Sequence, residues 1–176
     1  MTVDPAYDER FVHFVVLFNV DADYFECHEV MEELWLEEGR SLLYQGLLQA
    51  AVGLHHWRND NYSGAVKLFD QAENKLVQYP NVRMGLDLGQ LRADIARCVA
   101  PLRHWVTMMR SGEQAIGPAG DEVGIEASNT KVRDTCLIVG PPIFVPFELV
   151  VVDENLRLLA KVLAEIPLEV RLHNVD

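Results

Sequence analysis

The most regular stretch of the chain lies at residues 23–58 and reads DYFECHEVMEELWLEEGRSLLYQGLLQAAVGLHHWR. Apolar residues recur in it at spacings of three and four, which is typical of helices packed in a bundle. Asp21 or Asp23 can cap the first half, and Gly39 can end it, because glycine adopts the left-handed conformation that closes many helices. We therefore predict two helices joined by a tight turn at Gly39.

The same period continues on both sides of this stretch. Pro80 ends the segment that follows it, and Pro101 should kink or break the next one, since proline cannot donate the helical hydrogen bond. The five predicted helices cover residues 8–20, 23–38, 41–58, 62–78 and 88–110. We therefore expect an all-α fold, an antiparallel helical bundle formed by residues 1–112.

The order of the helices resembles a pair of stacked hairpins. The second and fourth helices begin alike, with an acidic or amide residue followed by tyrosine, at an offset of 38 residues. The small and aromatic packing positions of a tetratricopeptide unit are occupied by Gly53, Ala65, Phe69 and Ala72. Gln49 and His56 depart from that repeat, which has large aromatic residues there. The bundle is therefore predicted to contain two tetratricopeptide-like hairpins.

Beyond the bundle the pattern changes twice. Residues 113–135 are polar and rich in glycine, and we predict that they form a linker. Residues 136–176 begin with an apolar stretch whose closely spaced prolines forbid a regular helix. We expect an extended arm there, with a short edge strand at 149–152 and a short closing helix at 153–166. The arm should pack on the bundle or on a neighbouring subunit.

Composition limits the classes of function. The 176 residues carry a net charge of −12 and are 49% hydrophobic. No apolar run is long enough to span a bilayer and the acidic N-terminus is unlike a signal peptide, so we expect a soluble, cytoplasmic protein. The acidity argues against nucleic acid and against a membrane as partners, because phosphate-rich surfaces need a basic face. Cys27, Cys98 and Cys136 form no paired motif, so neither a disulfide framework nor a thiolate metal site is expected.

The second helix carries a histidine and a glutamate among aromatic residues. On a helical wheel His28 and Glu32 fall between Trp35 and Phe25, whereas the other glutamates line the opposite, outer face. The histidine and the glutamate are one turn apart and can touch. Because an isolated buried carboxylate costs several kcal/mol, we expect Glu32 to lie on the inner face with His28 as its partner.

The third helix is apolar around most of its circumference, which is typical of the central helix of a bundle. Its one polar stripe consists of Gln45, Gln49 and His56. Gly46 and Gly53 lie beside the stripe and would allow another helix to approach closely. We therefore expect the stripe to face the histidine–glutamate pair of the second helix.

Three interpretations fit such a cluster. Imidazole and carboxylate groups could hold a divalent transition metal, with His28, Glu32 and His56 as ligands. The same three side chains could act as catalytic acid–base groups on a small molecule, since a histidine beside a carboxylate exchanges a proton near neutral pH. The cluster could also be a satisfied polar network that only fixes the register of the helices. The residues leave open whether the protein is an enzyme.

The helical stretch resembles a known family of proteins. Its signature is carried by residues 18–19, 23–35, 45–52, 55–56 and 61–65. This pattern is similar to that of the family called domain of unknown function 309, over roughly residues 11–80. The resemblance implies a small all-helical bundle found in bacteria and archaea, and no assigned activity. The family's most characteristic positions correspond to Asn19, His28, Glu29, Glu32, Trp35, Gln49 and His56.

Two functional hypotheses follow. The first is a binding site for a small molecule or a divalent metal, with His28, Glu32 and His56 as its chemical groups. Its further binding residues would be Asn19, Tyr24, Glu29, Trp35, Gln45 and Gln49. The second is a tetratricopeptide-like scaffold that binds a partner protein, in which the cluster is purely structural. A homo-oligomer is compatible with both hypotheses.

Overall fold

The computed structural model describes residues 7–115 and 140–173, with only the backbone given for 113–115. Its helices are α1 Glu9–Val16, which continues as a π-helical turn over Leu17–Asp21, then α2 Tyr24–Glu37, α3 Leu42–Arg58, α4 Tyr62–Leu76, α5 Leu88–Ala115, α6 Glu154–Ala164 and α7 Leu168–His173. Strands β1 Val82–Arg83 and β2 Leu86–Asp87 form a small antiparallel hairpin before α5. The predicted all-α bundle is confirmed, and each of the five predicted helices is present.

Local sequence explains where the helices of the bundle begin and end. The Asp23 side chain accepts from the Glu26 backbone N–H at 3.2 Å, so Asp23 is the cap that begins α2. Gly39 follows the end of α2 with a φ of +72°, a conformation that favours glycine. Pro101 lies within α5 without ending the helix.

Helix α3 packs against α4 through its two glycines. A Cβ atom built on Gly53 would lie 2.6 Å from Cε1 of Phe69, and one on Gly46 would lie 3.0 Å from Cδ2 of Leu76. Phe69 and Leu76 are fully buried. The predicted close approach of a second helix is therefore present, and the helix that approaches is α4. This contact places α3 at the centre of the bundle.

The proline-rich segment is an extended arm that lies on the bundle. Asn19 fixes it with two hydrogen bonds to one residue: its Nδ2 donates to the Leu149 carbonyl at 2.8 Å, and its Oδ1 accepts from the Leu149 N–H at 2.7 Å. The Asp87 N–H donates to the Val150 carbonyl at 2.9 Å, and the Val152 N–H to the Gly85 carbonyl at 2.8 Å. The expected edge strand is reduced to a single bridge, which joins Val151 to Leu86.

Aromatic side chains anchor the arm in the core. Phe147 is 5% exposed and lies between the rings of Phe18 and Phe69. Phe144 packs edge-on against Tyr24 and Trp57. The arm thus completes the hydrophobic core rather than covering it loosely.

The C-terminal part contains one helix more than predicted. Helix α6 corresponds to the expected closing helix, and the chain then turns at Pro167 into the short α7. Arg171 of α7 reaches back to Asp21 at the end of the π-helical turn, with an N–O distance of 2.8 Å, and its side chain is 3% exposed. His13, which is 8% exposed, lies close enough for the charges of both residues to act on it. The buried polar contact between Arg171 and Asp21 holds α7 against the π-helical turn.

The predicted linker at 113–135 lies mostly outside the described residues, because α5 extends to Ala115 and the description resumes at Gly140.

Cys27 and Cys98 are buried free thiols, and burial raises the pKa of both. No helix in the described ranges has the length and apolar character needed to cross a bilayer.

We expect Asn19→Ala to release the arm from the π-helical turn. The substitution removes both partners of Leu149, and each lost hydrogen bond to a partly buried group costs about 1–3 kcal/mol. Hydrogen exchange at the Leu149 amide should become much faster, and urea denaturation should show lower stability. Asn74→Ala, at an exposed position of α4, is the control and should change stability by less than about 0.5 kcal/mol. Unchanged exchange at Leu149 would contradict the role of Asn19.

Stability should fall as the pH drops below about 6.5, the ordinary pKa of histidine. Burial lowers the pKa of His13, and the Arg171 charge lowers it further against the opposing effect of Asp21. The unfolded chain therefore takes up a proton at a pH where the folded protein does not, which favours unfolding.

Urea denaturation at a series of pH values between about 5 and 7.5 measures this dependence. His13→Phe should reduce the slope of the free energy of unfolding against pH by at most about 1.4 kcal/mol per pH unit. The slope should not vanish, since burial also lowers the pKa of His56. Asn74→Ala, which removes no titratable group, should leave the slope as it is; an equal effect of both variants would refute the assignment to His13.

Candidate functional site

His28 and Glu32 lie on the same side of α2, at the rim of a cleft. The distance from His28 Nε2 to Glu32 Oε2 is 3.8 Å, and His28 Nδ1 is 3.3 Å from Glu29 Oε1. The side chains of His28 and Glu32 are 36% and 47% exposed. The expectation of a buried, inward-facing pair is thus corrected: the two residues touch, and both are in contact with solvent.

The helical wheel of α2 explains why the pair is exposed and not buried. The fully buried positions of α2 are Tyr24, Cys27, Met31 and Leu34. Glu32 is about 120° from the middle of that face, at 100° per residue. The aromatic neighbours suggested burial, yet Phe25, on the same side as Glu32, is itself 53% exposed. An aromatic residue at the border of a helix face therefore does not identify the core.

The cleft between α2 and α3 encloses a cavity of about 170 Å³. It is lined by His28, Glu32 and Trp35 of α2, by Gln45, Leu48, Gln49 and Val52 of α3, and by Leu68 of α4. The predicted stripe of α3 thus meets the α2 pair through its two glutamines. Below we call this cavity the α2–α3 cleft.

Gln49 forms the buried polar wall of the α2–α3 cleft. It is 8% exposed, and its Nε2 donates to Oε1 of Gln71 at 3.0 Å. This bond orients the amide, and the Oε1 atom of Gln49 is buried without a hydrogen-bond partner among the described residues. Gln71 lies on α4, so the sequence of α3 gave no signal for it.

Trp35 contributes a second buried polar atom. Its Nε1 has no hydrogen-bond partner in the described part of the chain. Leaving a buried donor or acceptor without a partner costs about 1–3 kcal/mol, and such atoms are uncommon in native proteins. The Arg40 guanidinium lies 5.6 Å from the centre of the Trp35 ring, within the range of a cation–π contact. Two residues that line the cleft therefore each have one buried polar atom without a partner among the described residues.

A second cavity of about 190 Å³ continues along the same two helices. It is lined by Tyr24, Phe25, His28, Val52 and His55, so His28 and Val52 are common to both cavities. Burial raises the pKa of Tyr24 to about 12, and the Arg58 guanidinium lies 4.7 Å from its ring centre. Tyr24 therefore stays protonated at neutral pH and can contribute packing but no base.

His56 lies outside both cavities. Its Nδ1 is 3.1 Å from Nδ2 of Asn61, whose Oδ1 accepts from the Gly64 N–H and caps α4. Burial and the neighbouring His55 both lower the pKa of His56. His56 lies in the last turn of α3 and contacts Asn61 in the connection to α4, so the expected grouping of His56 with His28 and Glu32 is corrected.

The same correction applies to the predicted metal ligands. Among the described residues, the side chains that could hold one ion together are His28, Glu29 and Glu32, with ligand atoms within 4.8 Å of one another. Glu29 takes the place expected for His56 because it follows His28 directly on α2. The predicted binding residue Asn19 is also used elsewhere, since both of its amide atoms hold the arm.

These features define a helical-hairpin protein with a cleft between its second and third helices. Residues 11–68 match the family model described as Domain of unknown function (DUF309), which confirms the resemblance over that segment. The segment contains all of α2 and α3 and every residue that lines the α2–α3 cleft.

Two curated relatives share part of the chain. It is 37% identical over 94 residues to Uncharacterized protein YpuF of Bacillus subtilis (strain 168), which covers 48% of this chain and 52% of the relative. It is 31% identical over 74 residues to an uncharacterized protein of Aquifex aeolicus (strain VF5), covering 40% of this chain and 22% of that protein. The chain therefore spans about half of the first relative and about a fifth of the second.

We expect Gln49→Leu to keep or raise stability. The substitution removes one hydrogen bond to Gln71, worth about 1 kcal/mol, and it also removes an unpaired buried carbonyl that costs about 1–3 kcal/mol. Urea denaturation measures the net change. Leu47→Ala, two residues earlier on α3 and buried in the core, is the contrasting variant and should cost about 2–5 kcal/mol. A loss above about 2 kcal/mol for Gln49→Leu would show that Gln49 belongs to a structural network.

Proposed function

We propose that the α2–α3 cleft is a binding site for a small organic molecule. The observation that carries this proposal is the pair of buried polar atoms, Gln49 Oε1 and Trp35 Nε1, on residues that line one cavity. A ligand that donates to the first and accepts from the second would offset the cost of burying both. Removal of such an atom tends to stabilise a protein while abolishing its function.

The size and lining of the cleft favour a small ligand with an apolar body. Its volume of about 170 Å³ is below the roughly 300–1,000 Å³ of pockets for drug-sized ligands, so the cleft suits only a small molecule. Leu48, Val52 and Leu68 supply apolar walls, and the polar groups are few, as in most ligand pockets. The His28–Glu32 pair at the rim could exchange a proton with the bound molecule, which would make the site catalytic.

A divalent metal at His28, Glu29 and Glu32 is a second candidate. One imidazole and two carboxylates suit zinc, iron or manganese, and three protein ligands would leave positions open for water or substrate. All three residues are on one face of one helix and partly exposed, so nothing behind them orients the ligands. The organic-ligand proposal is favoured because it explains Gln49 and Trp35 as well.

A partner protein is the alternative from the scaffold hypothesis. The second cavity and the exposed Phe25 would then belong to a surface groove along α2 and α3. The cytoplasmic location and the homo-oligomer stay predictions from the sequence, to which the cleft adds nothing.

Nuclear magnetic resonance with a library of small fragments tests the proposal. The chain has three tryptophans, so its indole N–H groups give three resolvable signals. A fragment that enters the α2–α3 cleft should shift the Trp35 signal and leave that of Trp105, which packs on Tyr62 of α4. Trp35→Phe keeps most of the shape and removes the N–H, so it should weaken binding about tenfold; Trp105→Phe is the matched control.

The result decides between the candidates. A shift of the Trp35 signal by fragments supports the organic-ligand site. Zinc or manganese binding that is lost in His28→Ala, without any fragment effect, would favour the metal site. If neither fragments nor metal ions affect residues of the cleft, both versions are overturned and the scaffold reading stands.

A further inference from the structure

We propose that the ligand of the α2–α3 cleft is a small organic cation, a primary amine with one hydrogen-bond acceptor on a short apolar body. This inference rests on the proposed function of the cleft and names the chemical class of its ligand. An amino alcohol is the simplest member of the class.

The charges around the cleft select a cation. No lysine or arginine lines either cavity. Glu32 stands at the rim, and Glu29 lies beside it at the His28 ring. An anionic ligand would meet two carboxylates and no guanidinium or ammonium group in the wall, whereas a positive charge is attracted to the rim.

The carboxylates of α2 are neutralised unequally. Arg10 is 3.3 Å from Glu33 and 2.7 Å from Glu37, so the outer carboxylates have a cationic partner. The nearest basic group to Glu32 is His28, at 3.8 Å. Arg10 also binds Asp8, so the outer carboxylates share one cation, whereas no lysine or arginine among the described residues lies within ion-pair distance of Glu32.

The unpaired polar atoms of the buried wall determine which hydrogen-bonding groups the ligand needs. Gln49 is more than nine-tenths buried and lines the cavity, and its bond to Gln71 leaves the carbonyl oxygen as the unpaired atom. An ammonium group has three donors for such acceptors. The unpaired Trp35 N–H requires an acceptor on the ligand, which a hydroxyl supplies without adding negative charge. A simple alkylammonium would leave that donor unpaired.

The aromatic lining also suits a cation. The Arg40 guanidinium lies 5.6 Å from the centre of the Trp35 ring and occupies one of its faces, so a ligand cation would use the other face. Indole is the side chain that attracts cations most strongly through its face, and the attraction grows where water is excluded. The apolar residues Leu48, Val52 and Leu68 would hold the carbon chain of the ligand.

Isothermal titration calorimetry on the full chain tests the class with a set of four-carbon compounds. The set contains 4-aminobutan-1-ol, butan-1-amine, butane-1,4-diol and butanoate, so charge and hydroxyl vary at similar size. We expect the amino alcohol to bind most tightly, the amine without the hydroxyl more weakly, and the diol and the anion at least about tenfold more weakly than the amino alcohol.

Two adjacent glutamates provide a matched pair of variants. Glu32→Gln keeps the shape of the side chain and should weaken binding of the amino alcohol about tenfold or more. Glu33→Gln removes the same formal charge from the outer face and should change the affinity less than about twofold. Equal losses in both variants would show that only the overall charge attracts the amine, and would overturn the proposal.

The failures of the two proposals are distinguishable. If the diol or the anion binds as tightly as the amino alcohol, or if other fragments shift the Trp35 signal while no amine binds, the cation class is wrong and the cleft remains a ligand site. If neither the compounds nor the fragment library affects the cleft, both proposals fail together.

Discussion

The close contact of Gly53 with Phe69 is the constraint on which the rest of the bundle depends. The Phe69 ring lies so close to the α3 backbone at Gly53 that a hydrogen atom fits there and a Cβ atom does not. Helices α3 and α4 therefore pack against each other along the face of α3 that carries Gly46 and Gly53. That contact fixes the rotation of α3 and so determines which of its residues face α2. Gln49 is one turn before Gly53, where it can reach Gln71 of α4 on one side and the α2–α3 cleft on the other.

The arm and the π-helical turn form a second unit around the same core. A π-helical turn contains one residue more than an α-helical turn, and such turns often occur at functional positions. Here the turn carries Asn19, whose side chain hydrogen-bonds both backbone groups of Leu149. Phe147 of the arm fills the space between Phe18 and Phe69. The family segment ends at residue 68, so a residue within the family pattern is used to hold a segment outside it.

The pair of residues that is most prominent in the sequence makes only a weak interaction in the structure. His28 and Glu32 touch at the rim, where water screens their charges and reduces the value of the pair. The strongest structural evidence for a site comes from Gln49 and Trp35, whose buried polar atoms lack partners among the described residues. These atoms mark the cleft by the free energy that it costs to bury them unpaired, whereas the rim carboxylate adds a negative charge beside it.

The sequence by itself determined the helices, the extended arm and the facing of the two glutamines toward the α2 pair, because apolar period, capping residues and prolines act over a few neighbouring residues. The residues also carry the family resemblance over roughly 11–80, of which the family model matches 11–68. Only the tertiary structure decided that Glu32 is half exposed and that His56 contacts Asn61 at the end of α3. The same holds for the pairing of Asn19 with Leu149 and of Gln49 with Gln71. The reason is physical: a wheel gives the direction of a side chain from its own helix, while burial and pairing depend on where neighbouring helices and distant segments end.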